Sequence, residues 1–149
     1  MTLRDVIPPG AVIGIDTAPF IYYIQRVSPF VQLSAELFED CIRARRNIGV
    51  TTVVTVAEVL VGAFLSSEAG LDDRFRSILY DNPPLRLVDI DVTLAERAAR
   101  VRAQYRLSLT DALQIAACLD AGASFFVTND RDLRRVQELT VVVLSDFAS

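Results

Sequence analysis

The sequence predicts an α/β domain with a mainly parallel central sheet and helices on both faces. Three observations predict it. Short β-branched runs alternate with longer segments of helical periodicity along the whole chain, which is the pattern of βαβ units. The 149 residues are 52% hydrophobic and 23% charged, as expected of one soluble domain with a sizeable core. No repeat, low-complexity tract or linker divides the chain, so residues 1–149 read as a single domain with its core at about 11–144.

Taken in order, "AVIGI" (11–15) is a buried strand and "APFIYYIQ" (18–25) starts a helix. "FVQLSAELFEDCIRARR" (30–46) has apolar residues at helical spacing and its charges on the other face. "IGVTT" (48–52) is a second strand that leads into the helix "TVAEVLVGAFLSS" (55–67). The helix "GLDDRFRSILYD" (70–81) stops at Asn82-Pro83-Pro84, because proline cannot continue it. "LRLVDI" (85–90) is a strand and "TLAERAARVRAQY" (93–105) a helix. "LTDALQIAACLDAG" (109–122) is a helix closed by Gly122, followed by the strand "SFFVT" (124–128). "DRDLRRVQEL" (130–139) is a short helix and "TVVVL" (140–144) the last strand. In such folds the ligand site lies beyond the carboxyl ends of the strands.

Composition narrows the chemistry. A formal charge of −4 argues against holding nucleic acid by bulk basicity, although all 15 cations are Arg, which suits a local phosphate-binding patch. With no His there is no Ser-His-Asp or Cys-His triad, no His-ligated zinc and no imidazole base. Any chemistry must come from carboxylates, hydroxyls, thiols or Arg. Cys41 and Cys118 lie in apolar helical patterns without CxxC spacing and read as reduced core residues of a cytoplasmic protein. The Arg, Asp and Pro-Pro-Gly of "MTLRDVIPPG" do not resemble a secretory signal. No charge-free apolar stretch approaches the length of about 18 residues that a membrane span needs.

Four acids stand alone in apolar surroundings. Asp16 directly follows the first strand, and Glu58 is the only charged residue between Thr51 and Leu65. Asp111 is the only one between Leu107 and Leu119, and Asp130 follows "SFFVT" at another strand's carboxyl end. Parallel topology can bring such positions together, and an oxygen-only cluster of repelling carboxylates suits Mg²⁺ or Mn²⁺. Each acid also has a structural reading. Asp16, Asp111 and Asp130 fit helix-terminus positions, where carboxylates bond to free backbone N–H groups. Glu58 sits too deep in its helix for that role. Asp132 reads as a solvated helix residue or an auxiliary ligand, and Asp89 and Asp91 as exposed strand-edge positions. Thr17 and Thr128 either bond to backbone or orient a carboxylate or water.

The order of Asp in "GIDT", Glu in "TVAEVLVG", Asp in "LSLTDALQIAA" and Asp in "VTNDRD" resembles the PIN domain. The short single-domain form is similar to the VapC ribonuclease toxins of type II toxin–antitoxin systems. The likeness runs from about Ala11 to Leu144 and implies a PIN-like three-layer α/β/α fold. It also implies that Asp16, Glu58, Asp111 and Asp130 are the catalytic, metal-holding quartet, with Thr128 the hydroxyl that often precedes the last acid. One departure is Ala18-Pro19, where the family often has Asn after Asp-Thr.

The resemblance implies an endoribonuclease in which Mg²⁺ or Mn²⁺ activates water, so that neither His nor Lys is needed. RNA would be held by Arg around the site, with Arg131, Arg134 and Arg135 nearest in sequence. An antitoxin and a second copy of the chain are the partners it implies. The apolar excess of "APFIYYIQRVSPFV" (18–31) is expected to supply part of those interfaces. A receiver domain would need a Lys, and a haloacid-dehalogenase-type phosphatase would need an acid at Ala18. The remaining alternative is a catalytically silent PIN-fold module that binds RNA or protein.

Overall fold

The structure, a computed structural model, describes residues 1–148. Five parallel strands, β1 (Val12–Ile15), β2 (Ile48–Thr52), β3 (Leu85–Val88), β4 (Phe125–Thr128) and β5 (Thr140–Val143), form one sheet in the order β3-β2-β1-β4-β5. Helices α1 (Leu3–Val6), α2 (Thr17–Ile24), α3 (Val31–Ala35), α4 (Val53–Leu65), α5 (Leu71–Tyr80), α6 (Val92–Tyr105) and α7 (Leu109–Asp120) flank it. This is the three-layer α/β/α arrangement that the alternating pattern predicts.

The alternation of side chains along each strand separates the two helical layers. Ile13, Ile15 and Val127 face a cluster with Phe20, Leu37, Phe38 and Phe75, which belong to the layer that contains α2 and α5. Val50 and Phe126 face the other way, towards Ile115 and Cys118. Here α7 lies so close to β1 that a Cβ on Gly14 would meet the Cys118 Sγ at 2.6 Å. Cys41 and Cys118 are both free and buried, and burial pushes the Cys118 thiol up to about 12.

Strand order positions the site. The chain adds β2 and then β3 on one side of β1, then crosses back to lay β4 and β5 on the other. The reversal falls between β1 and β4, where Ile15 pairs with Val127 and the Asp16 N–H donates to the Val127 carbonyl at 3.0 Å. A parallel sheet leaves a crevice at such a point.

Three local readings change. The segment 30–46 is α3 continued by a π-helical stretch, Glu36–Arg43, and Arg45 then reverses the chain with φ of 60°. The stretch 130–139 holds only a 3₁₀ helix, Arg131–Arg135, because Val136 leaves helical geometry for an extended one, and Val136 and Leu139 bury themselves in the core as the chain bends into β5. Much of the apolar excess of 18–31 packs within the fold: Phe20 is buried, the Tyr22 and Phe30 rings stack at 4.7 Å, and the Tyr23 ring lies 5.2 Å from that of Phe38, while Ile21, Tyr22, Tyr23, Ile24 and Phe30 stay partly exposed. The large apolar side chains left exposed include Val61, Phe64 and Leu65 on α4, and none lies between residues 18 and 31. No helix among the described residues is long and apolar enough to cross a membrane.

Candidate active site

Asp16 is the N-cap of α2, as a carboxylate directly after a strand is suited to be. Its Oδ1 accepts from the Thr17 N–H at 2.8 Å, and its Oδ2 accepts from the Thr128 hydroxyl at 2.7 Å. Thr128 is fully buried at the end of β4, and its oxygen also accepts from the Asp130 N–H at 3.1 Å. One hydroxyl thus ties the first acid to the loop that carries the last. Asp130 is exposed and caps the 3₁₀ helix, with Oδ1 accepting from the Asp132 N–H at 2.9 Å. The structural reading and the site reading therefore hold together for Asp16 and Asp130. Asp111 is different: Ser108 caps α7, so the half-buried Asp111 carboxylate is left without a capping role.

Glu58 corrects an inference from its neighbours. Its apolar sequence context suggests burial, but α4 buries Thr55, Val59 and Ala63 and turns Glu58 outward. Its Oε1 accepts from the Thr17 hydroxyl at 2.7 Å. Behind it runs a chain of buried donors and acceptors that the sequence reading missed apart from Thr17. The Thr52 hydroxyl donates to the Gln114 Oε1, and the Gln114 Nε2 donates to the Thr55 Oγ1 at 2.7 Å. The Thr55 Oγ1 lies 3.2 Å from that of Thr17, which passes its own proton on to Glu58. Only Glu58, at the end of this chain, is exposed.

Burial pushes the Asp16 carboxyl up to about 6; Thr128 and Thr17 oppose the rise, and the charges of Asp111 and Glu58 add to it. Burial also raises Asp111, with Ser108 opposing and Asp130 and Glu58 adding. Desolvation leads in both cases and mutual repulsion comes second, whereas the sequence reading stressed repulsion. None of the four acids has an ion-pair partner among the described residues. Unpaired carboxylates of this kind suit a hard divalent cation. As the side chains lie, no three of them among the described residues converge into a ready-made metal cage.

The crevice beside Asp16 is a cavity of about 410 Å³ whose walls include Tyr22, Thr128, Asn129, Asp130 and Arg131. The Asn129 side chain donates to the Tyr22 hydroxyl at 3.0 Å, a wall that no sequence signal marked. Arg131 and Arg134 pair with Asp146, and Arg135 donates to the Tyr105 and Asp132 carbonyls. Asp132 is exposed and lies 3.7 Å from Arg135 rather than among the acids. Asp91 caps α6 through the Leu94 N–H, and Asp89 is exposed.

The PIN-domain family profile matches residues 13–139, a span that takes in all four acids and the whole crevice. The chain belongs to the PIN-domain family. Solved structures similar to this PIN domain include VapBC2 from Rickettsia felis bound to a DNA fragment from their promoter. That likeness has a TM-score of 0.68 at 17% identity and covers 89% of this chain and 98% of the other. A toxin–antitoxin complex from Klebsiella pneumoniae matches with a TM-score of 0.64 at 21% identity, over 91% and 98%. VapBC-5 from Mycobacterium tuberculosis, a member of the VapBC family of toxin–antitoxin systems, matches with 0.56 at 17%, over 91% and 99%. No curated protein resembles the sequence closely enough to count as a match. In this PIN domain Asp16, Glu58, Asp111 and Asp130 all belong to the carboxyl-end half of the fold: two follow strands, and two lie in the opening turns of helices.

Proposed function

We propose that this PIN domain is a metal-dependent endoribonuclease, acting as a single domain with its core at about 11–144, and that it is the toxin of a toxin–antitoxin pair. One observation carries the reading. Asp16 is a desolvated carboxylate held by two hydrogen bonds, faced by two further acids and matched by no protein cation. Asp16, Glu58, Asp111 and Asp130 would hold Mg²⁺ or Mn²⁺, which supplies an activated water and stabilises charge on the scissile phosphate. The chain's own part is orientation. Thr128 fixes Asp16, Thr17 fixes Glu58, and the buried Thr52–Gln114–Thr55 chain holds Thr17. Arg131, on the cavity wall, would meet RNA phosphate, with Arg134 and Arg135 as further phosphate contacts and Asp132 as an auxiliary ligand.

The likeness to toxin–antitoxin structures supports an antitoxin partner, and a homodimer belongs to the same proposal. The two buried thiols suit a reducing compartment, the cytoplasm. The absence of a ready-made cage favours a second reading, a catalytically silent module. Incubating labelled single-stranded RNA with the protein separates the two. Cleavage with added Mg²⁺ or Mn²⁺ that stops in EDTA, and is absent in Asp16→Asn, is the expected result. Strong cleavage in excess EDTA sinks the metal mechanism; binding without cleavage under any metal establishes the silent module.

A further inference from the structure

Five of the fifteen Arg of this acidic chain gather away from the four site acids. A cavity of about 500 Å³ opens where the chain enters β2 and β3, at the amino end of the sheet, and Arg43, Arg45, Arg74 and Tyr23 line it. A neighbouring hollow of about 370 Å³ shares Tyr23 and Arg74 and adds Arg26. Another, of about 350 Å³, shares Arg45 and adds Arg86. The three form one groove with five guanidiniums against the carboxylates of Glu39 and Asp81. Arg74 pairs with Glu68 at 2.9 Å, but Arg26, Arg43, Arg45 and Arg86 have no ion-pair partner among the described residues. By contrast, Arg131, Arg134 and Arg135 near the acids are all engaged with acids.

We infer that this groove is a second nucleic-acid site, which takes the phosphate backbone of single-stranded RNA one sheet length away from the acidic crevice. Guanidiniums spaced along three connected hollows suit a run of phosphates better than one phosphate group, and unpaired Arg in a negatively charged protein is a focused attraction for a polyanion. Tyr23 adds an aromatic edge in the wall against which a base can rest. The strands are four or five residues long, so at about 3.3 Å per residue the two ends of the sheet are roughly 15 Å apart, a length that a strand of several nucleotides can cover. The inference rests on RNA being the substrate and adds where most of the grip lies.

Binding of a fluorescent 12-nucleotide RNA in EDTA, where cleavage is off, tests it in the full chain. Arg43→Gln/Arg45→Gln is expected to weaken binding at least about tenfold and to make the slope of log K against log salt shallower by about 1.4, the share of two phosphate contacts on a single strand. Arg97→Gln/Arg100→Gln, on α6, keeps both values. Unchanged melting temperature for each variant shows that the fold is retained. If the groove variant binds as wild type does, the inference is overturned while the nuclease reading stands. If a trinucleotide or inorganic triphosphate binds as tightly as the 12-mer, the groove is a small-anion site and the inference is again overturned. If wild type binds no RNA in EDTA, the inference is overturned, and cleavage with added Mg²⁺ decides the nuclease reading separately.

Discussion

At the amino end of the sheet, where α1 docks, the buried polar groups are matched. The Asn47 side chain, 2% exposed, donates to the Pro8 and Ala11 carbonyls, both at 2.9 Å. Arg46 donates to the Ile7 carbonyl at 2.8 Å, and Glu36 accepts from the Leu3 and Arg4 N–H groups at 3.1 and 3.0 Å. At the carboxyl end the backbone and hydroxyls are equally well matched, but the carboxylates they hold have no cation partner among the described residues. Matched groups lower the free energy of the fold, and unmatched charge raises it, so the first region holds the chain and the second is held by it.

The largest effect should fall on cleavage. Asp16→Asn and Asp111→Asn are expected to lose about a thousand-fold or more in rate, since several kcal/mol of transition-state stabilisation go with the metal site. The metal-free variants should be as stable as wild type or more so, and Mg²⁺ should raise the melting temperature of wild type more than theirs. Variants less stable without metal, and equally responsive to it, would make the carboxylates simple helix caps.

Next come two polar substitutions that sharpen the contrast. Asn47→Ala strips two buried acceptors and should cost about 1–3 kcal/mol in denaturant melts, with cleavage per folded molecule unchanged. Thr55→Val removes a partner of both Gln114 and Thr17 and should cost a similar amount, but with a fall in cleavage as well, because Thr17 holds Glu58. Equal cleavage in the two variants would break the distinction.

The pH response has a definite sign. The folded pKa of Asp16, about 6, lies above its ordinary 3.8, so the penalty is fully present above pH 6 and gone below 3.8. Metal-free wild type should therefore gain stability between pH 7 and pH 5, on the order of 1 kcal/mol once solvent at this partly exposed group is allowed for. Asp16→Asn should flatten that rise in thermal melts. Further acidification reverses the gain, as Asp5, held low by Thr2, and Asp72, held low by Arg76, take up protons. The smallest effect is expected for Arg97→Ala, whose exposed pair with Asp120 should change stability by less than about 1 kcal/mol.

Much of this was legible in the sequence, because helical and strand periods are imposed within one turn or one pleat. The alternation of runs, the helix-terminus position of Asp16 and the missing His and Lys required no coordinates, whereas Asp91, read as a strand-edge residue, proves to cap α6. Residues 1–10 were opaque because their helix has one turn and is held by Glu36, Arg46 and Asn47, more than thirty residues away. Glu58 was read as a site residue for its isolation, yet isolation in sequence did not mean burial in space.

The sequence alone determined which chemistry is possible here: carboxylates on a parallel α/β frame, with Arg as the only cation. Tertiary structure decided how those groups meet. Thr128 reaches Asp16 across 112 residues, and Gln114 reaches Thr55 across 59, bonds that depend on β4 returning to the far side of β1 and on α7 pressing against Gly14. It also decided that Arg131, Arg134 and Arg135 are tied to acids while Arg26, Arg43, Arg45 and Arg86 have no ion-pair partner among the described residues. Local pattern sets a residue's type and the face it takes, but pairing between distant residues follows from strand order, which no single segment encodes.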